Sequence, residues 1–281
     1  MIEAAFAANQ LAVQSAADAD AEKKADGGAV SAVDRDVEAT IRQILDSYYQ
    51  GYAFFGEESG DETPAEPESG SRRWLVDPID GTRNYLSGGD DWCISIACQV
   101  FENNEWSTTD AVISHPATAR IYWAERGNGA WVIERDDSEQ EVVIEADPGG
   151  GETMPLASKL VDVSIRGFGV EAEMDVLRDI RVGHGVYRSS GSAGLMLVQV
   201  ADRGRDAAVM TAAPYDVAAG VLIAREAGAD LQSASFSRDG HDFTVIVAAT
   251  DAGVGSALAT SATKALDSFD VSPWQRSWSD G

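Results

Sequence analysis

The sequence predicts an α/β fold, an α+β layered sandwich with N-terminal helices on an antiparallel sheet and a C-terminal mixed or parallel sheet with helices. Three observations predict it. Two helical stretches open the chain, a run of short apolar segments separated by turn signals comes next, and strands then alternate with helices to the end. The expected division is an N-terminal α+β half at residues 1–150 and a C-terminal α/β half at 151–281, joined at the linker Asp147-Pro-Gly-Gly-Gly151.

Each element has its own reason. Ala4 to Ala17 is Ala-rich and helical in propensity, and a polar, Gly-containing stretch from Asp18 to Gly28 interrupts it. From Asp34 to Tyr49, Val37, Ile41, Ile44, Leu45 and Tyr48 fall on one face of a second helix. Residues 59–73 carry acid, Pro, Ser and Gly and read as an exposed, mobile loop before the short buried strand Trp74-Leu75-Val76. The apolar stretches 92–101, 111–114, 120–124, 130–134 and 141–146, separated by turn signals, read as an antiparallel meander. Helices are then expected at 171–181, 191–201, 216–227 and 254–269, with strands at 206–210 and 243–249. The last residues, 272–281, show no periodicity.

Composition bounds the function. The 281 residues hold 47 Asp+Glu against 21 Lys+Arg, a formal charge of −26, and 44% are hydrophobic. That argues against a sequence-wide grip on nucleic acid or anionic lipid, which needs clustered cations. Only Lys23, Lys24, Lys159 and Lys264 are lysines. Such a balance reads either as a salt-adapted protein, whose self-repulsion is screened, or as an ordinary acidic one. Met1-Ile2-Glu3 has no basic n-region and no apolar run reaches membrane-span length, so a cytoplasmic location is expected. Cys93 and Cys98 are five apart on one expected strand, on opposite faces, and are expected to be buried free thiols.

The chemistry concentrates in Trp74-Leu-Val-Asp77-Pro78-Ile79-Asp80-Gly81-Thr82. Pro78 stops the strand ladder, and Asp80-Gly81-Thr82 reads as the N-cap and first turn of a helix. Two carboxylates and the carbonyl between them then surround one point, beside helix N–H groups suited to an anion. Hard oxygen ligands next to an anion hole describe a magnesium–phosphate site; an Asx turn with a plain N-cap is the alternative. Gly56-Glu57-Glu58-Ser59 and Pro214-Tyr215-Asp216 add acidic clusters, which taken singly read as a solvated turn and a helix cap. His115, His184 and His241 lack ligand spacing.

Taken together, these motifs resemble the inositol monophosphatase family, within the superfamily that includes fructose-1,6-bisphosphatase. Asp-Pro-Ile-Asp-Gly-Thr at 77–82 carries most of the resemblance, with Gly56-Glu57-Glu58-Ser59, Tyr215-Asp216-Val-Ala-Ala-Gly220 and Val30-Ser31-Ala32-Val33-Asp34 in the family's order. The resemblance implies two or three Mg²⁺ held by Glu57, Asp77, Asp80, Asp216 and the Ile79 carbonyl. It implies phosphate on the backbone N–H groups of Gly81 and Thr82, and a water activated by the Thr82–Asp34 pair with Glu57. Gly191, Ser192 and Ala193 match the segment lining the substrate side. Lys23 and Lys24 fit a metal-gated loop or plain solvated charge.

The resemblance also implies the activity: a Mg²⁺-dependent phosphomonoesterase for a small sugar or polyol phosphate, inositol 1-phosphate or fructose 1,6-bisphosphate, working as a homodimer. The alternatives are a nucleotide 3′-phosphatase of the same superfamily and a non-catalytic binding module. Inositol-specific members carry an acid about seven residues before the last Asp; here that position is Val209, which puts inositol phosphate as sole substrate in doubt. Arg188 or Arg166 could meet a second phosphate or pair on the surface.

Overall fold

The computed structural model describes residues 1–16, 22–23, 29–30, 32–134, 138–143, 154–165, 169–238, 241–266 and 271–275, with backbone only at 22–23, 29–30, 238 and 241–243. The expected boundary at 150/151, Lys24, Ser31, Arg166 and the tail beyond residue 275 lie outside them. Two compact units emerge. The first holds residues 1–141 with 191–195 and 214–223; the second holds 142–190, 196–213 and 224–281.

In the first unit, α1 (Ile2–Ser15) and α2 (Ala32–Tyr48) pack together and cover one face of an eight-stranded sheet. On α1, Ala4, Ala5, Ala8 and Ala12 are fully buried, so only methyl groups separate the helix from its neighbours. On α2, Val33, Val37, Ile41 and Leu45 recur every four residues and bury the same stripe. Asp34 and Glu38 ride along its edge and are buried with it.

Strand β3 (Ala53–Gly56) runs parallel to β5 (Arg72–Asp80), with β4 (Gly60–Asp61) antiparallel on its other side. Then β6 (Cys93–Glu102), β7 (Glu105–His115), β8 (Arg120–Glu125), β9 (Ala130–Ile133) and β10 (Glu139–Val142) form the expected meander. Two residues, Asn103 and Asn104, turn β6 into β7 with φ of 53° and 65°, the left-handed pair that matches strand twist. A further two-residue pair, β1 (Glu22–Lys23) and β2 (Ala29–Val30), is antiparallel. Trp74, Val76, Ile79, Ile94 and Ile96 form the core under α1 and α2, each worth roughly 1.5–3 kcal/mol of burial.

Two expectations change here. Pro78 does not end β5: it lacks an N–H, so the ladder breaks after Asp77 and resumes at the Asp80–Cys93 pair. The 59–73 stretch is exposed over most of its length, yet Gly60–Asp61 pairs with β3 and Arg72–Arg73 begins β5.

The second unit contains a five-stranded mixed sheet. Strands β12 (Val186–Arg188), β11 (Leu160–Ser164) and β13 (Ala207–Thr211) are parallel, and β15 (His241–Ala249) and β14 (Asp230–Arg238) continue antiparallel. Its core joins α4 (Val170–Val182) and α7 (Ala252–Ala265) to Val161, Val163, Val209, Val245 and Val247. Strands β11, β12 and β14 go beyond the expected elements. Helices α5 (Ala193–Ala201) and α6 (Pro214–Glu226) each begin in the first unit.

Candidate active site

The candidate residues Asp34, Glu57, Asp77, Asp80, Thr82, Ser192 and Asp216 all lie in the first unit. At the end of β5, Asp77 and Asp80 are 2% and 6% exposed. The Ile79 N–H donates to Asp77 Oδ1 at 3.0 Å, an Asx turn across Pro78. Asp80 does not cap the helix after it. The N-cap of α3 (Thr82–Leu86) is Gly81, with φ 98° and no side-chain cap. A Cβ there would be 2.8 Å from the Asp91 carbonyl oxygen, so space as well as φ requires glycine. The Thr82 hydroxyl has two acceptors in reach, Asp34 Oδ1 at 3.3 Å and the Ile79 carbonyl at 3.1 Å. Tyr85 anchors α3 to α1, its hydroxyl donating to the Ala12 carbonyl at 2.8 Å while its ring meets Trp92 edge-on. Burial first, and the nearby Asp34 charge second, push the Tyr85 phenol up to about 12.

Asp80 turns instead toward the start of α5. Ser192 Oγ donates to Asp80 Oδ2 at 2.7 Å and the Gly194 N–H to the same oxygen at 2.6 Å, while the Ala193 N–H reaches Oδ1 at 3.2 Å. Cys93 Sγ completes the cluster, 3.6 Å from Asp80 Oδ2 and 3.5 Å from Ser192 Oγ. Gly194 leaves no room for a side chain, since a Cβ would stand 2.9 Å from that sulfur and 3.0 Å from Asp80 Oδ2. Ser192 and Ala193 therefore direct these donors at a carboxylate. Gly191, at φ 83°, makes the turn before them. Cys98, on the opposite face of β6, lies in the core under α1 and α2, and both thiols are free.

Glu57 leaves the end of β3 in a turn gripped by Glu38. That carboxylate accepts the N–H groups of Glu58 and Ser59, both at 2.9 Å, and a side chain at Gly56 would collide with it. Nothing in the sequence singled Glu38 out for this. Its one signal is position, four residues beyond Asp34 and beside Val37 and Ile41 on α2. On α6, Asp216 is the third residue; Tyr215 fixes the approach through an edge-on contact with Phe55 at 5.5 Å and through Ser95 Oγ on its carbonyl.

Four carboxylates thus converge. Burial pushes the Asp77 carboxyl well above its usual range, and the charges of Glu57, Asp80 and Asp216, with a hydrogen bond to Glu57, push it further. Asp80 is raised to about 6, again chiefly by burial, although its donors from Ser192, Gly194 and Ala193 favour the charged form. Among the described residues, no three Asp, Glu, His or Cys side chains are placed so that as they stand they could hold a metal ion. The donor chemistry nonetheless fits a hard divalent cation. Buried carboxylates this close need either shared protons or a cation between them, and Asp77 and Glu57 already share a hydrogen bond.

Arg188 lies in the second unit, on β12. Its Nε is 3.7 Å from Oδ2 of the fully buried Asp162, which Arg205 also approaches at 3.8 Å, so its charge is already matched by a carboxylate. Among the three histidines, His115 is buried against the Asp90 carbonyl and Thr118; the side chain of His241 is outside the described residues.

Family and relatives together make this chain a phosphoric monoester hydrolase. The chain belongs to the inositol monophosphatase family, whose family model matches residues 1–267. The inositol-1-monophosphatase of Rhizobium meliloti (strain 1021) is 34% identical over 203 residues, which is 71% of this chain and 70% of that protein. The fructose-1,6-bisphosphatase/inositol-1-monophosphatase of Aquifex aeolicus (strain VF5) is 28% identical over 208 residues, 74% of this chain and 73% of that one. In fold, the crystal structure of the extragenic suppressor protein suhB from Bartonella henselae matches with a TM-score of 0.76 at 24% identity, covering 94% of this chain and 97% of that chain. Among the described residues, no helix is long and apolar enough to cross a membrane.

Proposed function

We propose that the protein is a Mg²⁺-dependent phosphomonoesterase that releases inorganic phosphate from a small sugar or polyol phosphate. The convergence of Glu57, Asp80 and Asp216 on the buried Asp77 carries this reading. Those four carboxylates and the Ile79 carbonyl would hold two or three Mg²⁺. When bound, the ions supply a water of lowered pKa and neutralise charge on the leaving oxygen.

The remaining work belongs to the chain. The first amides of α3, at Gly81 and Thr82, have no intrahelical acceptor and are available to hold phosphate oxygens. With only five residues, α3 contributes individual N–H groups and little macrodipole. Thr82 Oγ1 accepts a proton from the attacking water and passes its own to Asp34 Oδ1, 3.3 Å away. Engaging the Ile79 carbonyl elsewhere leaves Asp34 as the sole acceptor for that hydroxyl. Glu57, hydrogen-bonded to Asp77, would help orient the attacking water.

Fructose 1,6-bisphosphate and inositol 1-phosphate are the leading substrates. The relative from Aquifex aeolicus, named for both activities, favours keeping the bisphosphate, and Val209, fully buried where an acid would serve inositol hydroxyls, argues against inositol phosphate alone. The test is phosphate release from these two compounds and an adenosine 3′,5′-bisphosphate, with and without Mg²⁺, by the protein and its Asp80→Asn variant. Mg²⁺-dependent release lost in the variant is expected; near-normal turnover of the variant would remove the metal assignment.

A further inference from the structure

Away from the carboxylate cluster, the first unit carries a cavity of ≈ 580 Å³ between the 61–67 segment and the outer ends of β5, β6 and β7. That is the size of a small-molecule site. Its floor is set by strand register. Arg73 pairs with Gln99, Gln99 with Thr108, and Phe101 with Trp106, which places these side chains on one face.

Arg73 is the cation of this cavity. Some arginines of this acidic chain meet carboxylates closely, as in Arg42–Glu62 at 2.6 Å and Arg120–Glu134 at 2.9 Å, and others loosely, as in Arg126–Glu102 at 3.9 Å. The Arg73 side chain is only 12% exposed, yet its nearest carboxylate, Asp61, is 3.9 Å away. Its Nε and Nη2 share one neutral acceptor, Gln99 Oε1, at 3.0 and 2.9 Å, and Nη1 reaches Thr63 Oγ1 at 3.3 Å. Gln99 is held in that orientation by its own bond to Thr108. Among the described residues one N–H on Nη2 has no protein acceptor, and the charge is paired only loosely, with Asp61 at 3.9 Å. Burial accordingly lowers the guanidinium below its usual range.

Beside that cation stand apolar and acidic groups. Trp106 stacks on the guanidinium at 4.3 Å and contacts Phe101 at 5.2 Å, and Pro64 and Pro67 also line the cavity. Asp61 is spent on the Thr63 N–H and on Arg73, but Glu66, also on the wall, makes no hydrogen bond or ion pair among the described residues. A half-buried, loosely paired guanidinium, the exposed Glu66 carboxylate and an aromatic–proline surface in one cavity match one kind of molecule. We infer that the cavity between residues 61–67 and the Phe101–Trp106 hairpin binds a free α-amino acid with a large apolar side chain. Its carboxylate meets Arg73, its ammonium meets Glu66, and its side chain lies against Phe101, Trp106 and the prolines.

This site is separate from the phosphatase chemistry, so either reading can fail alone. Arg73 and Asp77 share a face of β5 four residues apart, roughly 13 Å along the strand. The probe is L-phenylalanine, titrated by calorimetry or ligand-observed NMR against the full-length protein. One saturable site is expected, weakened at least about tenfold when N-acetyl-L-phenylalanine or phenethylamine replaces the zwitterion. Glu66→Gln and Trp106→Leu, with unfolding profiles like the parent's, are expected to weaken it similarly. No saturable binding would overturn the inference, as would equal affinity for either charge-deleted analogue or affinity unchanged in both variants.

Discussion

Ser192→Ala removes one hydroxyl and leaves the other donors to Asp80 in place. The lost bond is short, 2.7 Å, and joins two groups that are 0% and 6% exposed, so water does not replace it readily. A hydrogen bond to a buried carboxylate is worth about 1.5–3 kcal/mol. Taking about 2 kcal/mol, the ionised form of Asp80 loses that much with or without a cation, so apparent affinity for a divalent cation at pH 7 falls through added proton competition alone, roughly fourfold. The remaining Gly194 and Ala193 N–H groups keep the carboxylate pointed the same way, so the loss should not reach the level of deleting the ligand. Calorimetric titration with Mg²⁺ or Mn²⁺ measures the affinity, and thermal unfolding without divalent ions measures the cost to the apo-protein. That cost should shrink near pH 5, where Asp80, at about 6, is protonated and needs the donor less. Affinity within twofold of the parent's, in a variant that unfolds normally, would refute the role given to Ser192.

Glu38→Ala strips the acceptor from two buried-edge N–H groups at Glu58 and Ser59, and denaturant unfolding should register a loss of about 2–4 kcal/mol, with Glu38→Gln losing less. Without divalent cations, stability carried by Asp80 is present in acid, below 3.8, and is lost as pH rises through about 6, because its folded value lies above its ordinary one. The difference in Tm between the parent and Asp80→Asn should therefore widen against the parent across that window, and saturating Mg²⁺ should abolish it. With a net charge of −26 repelling an anionic substrate, phosphate release should rise from low salt toward molar KCl; a steady decline would remove the salt-adapted reading.

Local structure was legible in the amino-acid pattern. Val37, Ile41 and Leu45 of the expected helical face are buried on α2, although Tyr48 at its end is exposed, and the Asx turn at Asp77 was one of the two readings its sequence allowed. Long-range choices were hidden. An acid on a helix edge ordinarily points to water, so Glu38 gave no sign that it would hold a turn twenty residues away. Asp80 next to Gly81-Thr82 has the form of a cap, but the donors that win its carboxylate come from residues 192–194. Pro78 suggested a strand end, whereas a bulge lets β5 carry Asp80 back into the ladder. Strand β11, Leu-Val-Asp-Val-Ser, was disguised by Asp162, an acid buried against two arginines. Strand β14 was disguised by its small polar residues.

Synthesis order acquires meaning from the way the first unit draws on residues 191–195 and 214–223. A nascent chain that has emerged to residue 190 carries the sequence of α2, β3, β5 and β6, with Glu57, Asp77 and Asp80. It lacks Ser192, Gly194 and Asp216. Such an intermediate holds repelling carboxylates without the groups that orient them, so the hydrolytic centre completes only late in translation.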